Sequence, residues 1–365
     1  MAETVDGIWP RAILHLDMDA FYVNVHLLDH PEDAGIPLVV GGRPDGRGVV
    51  ASASYEARRF GIHSAMAAAT AIRLCPHLKF VNRNGPQIRA CSQQVMAVLE
   101  SYGPVEQMSV DEAYVDLSDR PVPAALAPAI QHRVRRETGL PASVGLATSK
   151  LVAKVASDYD KPEGCTIVAP GEEAAFLAPL PVRALWGIGP RTAERLGMLG
   201  LRTCGELAAA DPAVLRLEFG SHGEGLQDRA RGIDERAVVA DPGPPKSISQ
   251  ERTFARDVDD PDYLEEQIEM MGERVAASLQ KRELLAFTVS VKFRWPDFTT
   301  FTRQKTIPVG IDEAGSIIRV ALAIWREHWP SGQPVRLLGV GVSNLARPRG
   351  RQLPLFDPLW GYPDV

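Results

Sequence analysis

Apolar and polar positions give the chain two textures. In the first, an apolar run at residues 13–16 ends on an acid, which predicts a short strand with Asp17 at or just past its end, pointing out of the core. Runs at 36–40, before Gly41 and Gly42, and at 142–147 predict further strands, while 21–28, 88–102, 124–138 and 149–157 carry helical spacing. Met108, Val110, Ala113, Val115 and Leu117 bracket two acids, the pattern of a β-hairpin with Asp111 and Glu112 near its tip. Strands alternating with helices around that hairpin predict an α+β domain of the ferredoxin-like kind.

From about residue 180 the texture changes to short helices. Residues 185–196 read as a helix end, the turn Gly187-Ile188-Gly189, and a helix start with free backbone N–H groups. Two readings stay open there: a sequence-independent grip on a DNA phosphate, or a plain tight turn between helices. Residues 238–246, with Pro242, Gly243, Pro244 and Pro245, predict a linker. A second α+β unit follows, with helices at 263–282 and 312–329 and strands at 285–295, 300–307 and 335–342. Alternation predicts Lys292 with Arg294, and Arg303 with Lys305, all on one sheet surface opposite Val289, Val291 and Phe293. Such a surface suits a phosphate backbone, and a merely solvated face is the other reading.

Length and composition narrow the classes. At 365 residues the chain predicts two to four domains, and 45% hydrophobic with 24% charged residues is the make-up of a soluble globular protein. Residues 1–10 carry acids and no apolar core run, so no signal peptide is expected, and no stretch approaches a membrane span. Cys75, Cys91, Cys165 and Cys204 show no CxxC spacing and predict reduced thiols in a cytoplasmic protein. A net charge of −6 argues mildly against nucleic-acid binding, but a local basic face matters more than the sum.

The candidate chemistry lies in the acids. Two neighbouring strands delivering Asp17, Asp111 and Glu112 to one sheet end crowd three negative charges, which is costly unless a cation neutralises them. Spacing alone leaves open a two-metal site for phosphoryl transfer and a set of ordinary turn acids. Small residues at 49–54 ahead of Tyr55 and Arg58 leave room for a flat or phosphorylated group; equally, the two side chains could only pack and solvate a small helix. The proline-rich, basic tail holds Gln352-Leu353-Pro354-Leu355-Phe356, an apolar peptide of the kind that serves as a ligand.

Five stretches in order carry a resemblance: Leu16-Asp17-Met18-Asp19-Ala20-Phe21-Tyr22, residues 54–61, Ser109-Val110-Asp111-Glu112-Ala113-Tyr114, Lys161-Pro162-Glu163-Gly164 and Gly187-Ile188-Gly189. Together they resemble the Y-family translesion DNA polymerases of the DNA polymerase IV, or DinB-like, branch. The resemblance implies a multidomain α+β right hand: palm at 11–20 and 83–174, fingers at 21–82, a helix-hairpin-helix thumb at 175–237, linker at 238–246, little finger at 247–346 and a tail at 347–365. It implies template-directed addition of deoxynucleotides to a primer 3′ end, with low fidelity and no proofreading.

By the same resemblance Asp17, Asp111, Glu112 and the main-chain carbonyl of Met18 hold two Mg2+ ions, or Mn2+ in their place. Tyr55, Arg58 and Lys161 hold the incoming triphosphate, Phe21 and Tyr22 border the nucleotide, and Tyr22 is the steric gate against a 2′-hydroxyl. Gly187, Gly189, Lys292, Arg294, Arg303 and Lys305 contact primer-template DNA, and Gln352, Leu353, Leu355 and Phe356 dock on a bacterial sliding clamp. Asp19 is expected to hold the turn. His26 departs from the glutamate common in the family. A monomer free of membranes is implied. The competing readings are a nucleotidyl cyclase, which needs neither the glycine turn nor a clamp peptide, a non-catalytic mutasome scaffold, which keeps the clamp peptide but usually loses the acids, and a ribonucleotide-tolerant polymerase, which would want a small residue where Tyr22 stands.

Overall fold

The computed structural model describes Trp9, residues 11–118 and residues 125–348. In chain order it begins β1 (Ile13–Met18), α1 (Phe21–Asp29), β2 (Leu38–Gly41), β3 (Val50–Ala53), α2 (Tyr55–Arg58), α3 (Ala68–Leu74) and β4 (Lys79–Val81). There follow α4 (Gly85–Glu100), β5 (Val105–Gln107), β6 (Glu112–Asp116), α5 (Leu126–Thr138), β7 (Ala142–Ala147), α6 (Lys150–Tyr159) and β8 (Cys165–Ile167). Short helices come next: α7 (Glu173–Leu177), α8 (Pro190–Met198), α9 (Cys204–Ala209), α10 (Pro212–Phe219) and α11 (His222–Ala230). The last stretch is β9 (Ser247–Val258), α12 (Pro261–Gln280), β10 (Leu285–Arg294), β11 (Thr300–Ile311), α13 (Ala314–His328) and β12 (Val335–Ala346). Two compact units divide between Pro242 and Gly243, with Asp45–Arg47 grouped with the second.

In the first unit the main sheet runs β5-β6-β1-β7-β8. All six residues of β1 are buried because β6 and β7 flank it and both faces are covered. Leu14, Leu16 and Met18 enter one core with Ile88, Val95 and Leu99 of α4 and Ile130 and Val134 of α5. Ile13, on the alternate face, packs with Leu151, Val152 and Val155 of α6. Ser149 caps α6 by accepting from the Val152 N–H. Gly145 of β7 lets that helix lie directly on the sheet: a Cβ there would stand 2.1 Å from the Ala153 carbonyl oxygen and 2.4 Å from the Ser157 nitrogen. A smaller sheet, β3-β2-β4, carries α2 and α3 over a core of Val39, Val50, Ala53, Ala57 and Ile62.

The second unit is an antiparallel sheet, β11-β10-β12-β9, with α12 and α13 packed on one face, where Trp325 of α13 joins Val289, Val291, Phe293 and Val340 in one core. Strand β9 was not expected from the sequence. It is an edge strand whose residues are mostly exposed, with Phe254 buried, so it shows little apolar periodicity.

The register also corrects the expected basic surface. Lys292 and Arg294 stand opposite Thr302 and Thr300, but Arg303 and Lys305 stand opposite Val291 and Val289. Directly paired residues share a face, so Arg303 and Lys305 lie at the edge of the helix-bearing side, not beside Lys292 and Arg294. Alternation sets the faces within one strand; only register relates two strands.

Candidate active site

The central position of β1 puts its end against both neighbours. Asp17 pairs with Glu112 on β6 and with Ser143 on β7, and the Met18 N–H donates to the Asp111 carbonyl at 3.0 Å. The hairpin turn is closed by Ser109, whose hydroxyl accepts from the N–H groups of Asp111 (3.2 Å) and Glu112 (3.1 Å) and donates to the Asp111 carboxylate at 2.5 Å. Backbone pairing thus gathers Asp17, Met18, Asp111 and Glu112 at one sheet end.

The chain leaves β1 through Ala20, which adopts a left-handed φ of 42° ahead of α1. Asp19 holds this turn. Its carboxylate accepts from Ser143 (3.0 Å to each oxygen), from the Glu163 N–H (2.8 Å) and from the Tyr55 hydroxyl (3.1 Å). With those partners it is 2% exposed and committed to structure.

Helix α6 crosses the Asp17 side of the sheet and meets its acids in sequence. Lys150 pairs with Glu106 at 2.6 Å, Lys154 with Glu112 at 2.9 Å, and Lys161, just beyond the helix, with Asp17 at 2.6 Å and Asp158 at 2.7 Å. Between them, Ser157 hydrogen-bonds His15 at 2.7 Å. Burial pushes the Asp17 carboxyl up to about 7; Lys161 opposes that and Glu112 adds to it. For Lys161 burial works downward, but Asp17 and Asp158 outweigh it and hold the ammonium above its usual range. His15 is pushed down by burial and then by Lys154 and Lys161, so it stays neutral.

A cavity of about 150 Å³ opens on this end of the sheet, and Asp17, Met18, Phe21, Tyr22, Tyr55, Arg58, Asp111 and Lys161 all line it. Eight residues singled out in the sequence therefore converge on one space. Arg58 lies 4.4 Å over the Tyr55 ring, and its Nε donates to the Ala53 carbonyl at 3.1 Å. Burial, followed by Asp19, pushes the Tyr55 hydroxyl up to about 12, which keeps it a donor. The Glu112 side chain is engaged by Lys154 instead. Among the described residues no three His, Cys, Asp or Glu side chains are gathered as a ready metal cage.

Several contributors were missed. Ser52 and Ser64 line the cavity, and Ser109, Lys154 and Asp158 position its charges. The small residues at 49–54 were the signal for Ser52; the others depend on turn and helix geometry.

The remaining candidates lie elsewhere. Gly187 has a left-handed φ of 91°, and Gly189 precedes Pro190 at the start of α8, whose first N–H groups begin at Arg191. In the second unit Lys292 is paired with Glu251 at 2.9 Å, and the Arg294 Nε donates to Thr300 at 2.7 Å. His26 bonds Asp33 at 2.8 Å, and Lys79 meets the same carboxylate at 2.6 Å, a local cluster away from the cavity lining. Residues 352–356 lie outside the described residues.

Comparison with known proteins was made against this geometry. The impB/mucB/samB family model matches residues 16–158, the C-terminal domain model of that family matches 245–355, and the IMS family HHH motif matches 170–201. DNA polymerase IV of Halorhodospira halophila is 42% identical over 354 residues, covering 96% of this chain and 99% of that protein. DNA polymerase IV of Methanoculleus marisnigri is 43% identical over 342 residues, covering 92% and 94%. The solved structure of a Y-family DNA polymerase chimera superposes with a TM-score of 0.83 at 24% identity, over 92% of this chain and all of that one, a likeness of fold.

Proposed function

This chain belongs to the impB/mucB/samB family of Y-family, DinB-like DNA polymerases, and we propose on that premise that Asp17, Asp111 and Glu112 are its catalytic carboxylates. The protein is a DNA-directed DNA polymerase of the translesion type, a nucleotidyltransferase that extends a primer along a template. A non-catalytic scaffold is not favoured. The observation that carries the site reading is the convergence of eight candidate residues on one cavity.

The chain's own groups suit a triphosphate. Arg58 and Lys161 bring positive charge to the cavity, and the Tyr55 hydroxyl keeps its proton, which Asp19 accepts here and for which a bound phosphate would compete. Lys161 is shared: it neutralises Asp17 and Asp158 here, and a bound triphosphate competes for the same ammonium. Tyr22, on the cavity wall, serves as the gate that excludes a 2′-hydroxyl and selects deoxynucleotides.

The carboxylates of Asp17, Asp111 and Glu112 and the Met18 carbonyl form an all-oxygen donor set, which fits a hard divalent cation once Glu112 turns from Lys154. Two Mg2+ ions, or Mn2+, held by these groups would supply Lewis acidity to the transferring phosphoryl group. Gly187 and Gly189, with Lys292 and Arg294, grip primer-template DNA. Gln352, Leu353, Leu355 and Phe356 tether the monomer to a bacterial sliding clamp, raising its local concentration on DNA.

The test is primer extension with deoxynucleotides and Mg2+, comparing the parent with Asp111→Ala plus Glu112→Ala. The variant is expected to lose at least about a thousandfold in rate while still binding primed DNA. Equal extension by both proteins would remove the carboxylates from the mechanism.

A further inference from the structure

We infer that Arg83 is a positioning residue for sugar selection, holding the Tyr22 ring in its gating orientation; this rests on Tyr22 being the gate. The Arg83 guanidinium carbon lies 5.2 Å from the centroid of the Tyr22 ring. Tyr22 is the second residue of α1 and only partly buried, packing between the small cluster of Ala20, Val23, Leu38 and Val40 and the main core that holds Phe21 and Ile88. Phe21 meets it at a tilted 5.8 Å between centroids. Aliphatic packing excludes water from a ring but leaves it freer to pivot than a directional contact on its face does.

Arg83 supplies such a contact from a fixed base. It follows β4, where Val81 pairs with Val40, and immediately precedes Asn84, whose side chain caps α4 by accepting from the Gln87 N–H. Among the described residues no carboxylate holds its guanidinium elsewhere. A cation over an aromatic face at an exposed site biases an equilibrium about two- to fivefold. A gate rejects the 2′-hydroxyl by where its ring edge lies, so releasing the ring admits ribonucleotides more often. Arg83 belongs to none of the five motifs, because the contact joins residues from two different elements.

Single-nucleotide incorporation opposite a template guanine, with dCTP and rCTP in separate reactions, measures the ratio of kcat/KM for the two sugars. With the full chain, Arg83→Ala is expected to lower the deoxy-to-ribo ratio about two- to fivefold, with the larger change in the ribonucleotide arm. Arg83→Lys should recover part of the loss. Tyr22→Ala should collapse the ratio on the order of a hundredfold, and adding Arg83→Ala to it should change nothing further. If Tyr22→Ala collapses the ratio and Arg83→Ala leaves it at the parent value, the Arg83 inference fails and the gate stands. If Tyr22→Ala also leaves it unchanged, the gate reading fails. An equal effect of Arg83→Ala in both backgrounds would mean that Arg83 acts on the nucleotide itself, which overturns the positioning role.

Discussion

In the sheet β5-β6-β1-β7-β8 charged side chains lie between sheet and helix, whereas in β11-β10-β12-β9 the helices cover the apolar face and the polar face is left open. The first arrangement places Glu106, Glu112 and Asp17 under Lys150, Lys154 and Lys161, pair by pair. The second sets out Ser249, Glu251, Ser290, Lys292, Arg294, Thr300 and Thr302 across a surface where Gly339 and Gly341 add no side chains. Buried charge must be matched at each position, because an unmatched one is costly. Exposed polar groups are nearly interchangeable, and what matters is which face the register gives them. The phosphoryl transfer proposed for the first site would ask for the first kind of surface, and the proposed sequence-blind hold on a DNA backbone for the second.

The contrast is most exposed to a change at Lys150, which is 6% exposed against a 15% exposed Glu106. Lys150→Met leaves that part-buried carboxylate with only the Val239 N–H as a partner among the described residues, and should lower the stability of the first unit by about 2 kcal/mol in denaturant unfolding. An unchanged midpoint would mean that this pair is solvated like those of the second sheet.

A smaller effect tests the faces of the second sheet. Arg294→Ala should reduce the slope of log K against log salt for primed DNA by about one, measured by fluorescence anisotropy. Lys292→Ala should do less because Glu251 already offsets that charge, and Arg303→Ala less again because it lies on the other face. Equal slopes for Arg294→Ala and Arg303→Ala would dissolve the distinction between the faces.

The smallest effect concerns a surface pair. The hydrogen bond from Arg326 holds the Glu265 carboxyl below its usual value, at 2.5 Å. A depressed carboxyl contributes stability above its unfolded pKa and loses it as pH falls through the folded one. Arg326→Gln should therefore lower the Tm of the second unit by about 2 °C or less at pH 7, with no difference left near pH 2. A difference that persisted in acid would assign the effect to packing of the arginine stem.

Much of this was legible in the sequence, for identifiable reasons. The run at 13–16 and the bracketed acids at 111 and 112 located β1 and the hairpin, because burial on both faces demands apolar residues and the acids interrupt them. Order of motifs, not spacing, singled out Tyr55, Arg58 and Lys161. What stayed hidden depends on relations between elements. The pairing of Lys154 with Glu112 needs the helix pitch laid over the strand register, and the faces of Arg303 and Lys305 need the β10–β11 register. Strand β9 escaped because an edge strand with mostly exposed residues has no apolar stripe to read.

Gly145 carries a consequence for how this site tolerates change. Because α6 rests on backbone at that point, the height of the helix above the sheet is set by a residue with no side chain. Any larger residue there must lift Lys150, Lys154, Ser157 and the segment leading to Lys161 together. The separate charge contacts then have a single mechanical datum, and a methyl group added there, opposite His15 and outside the cavity lining, would detune them in concert.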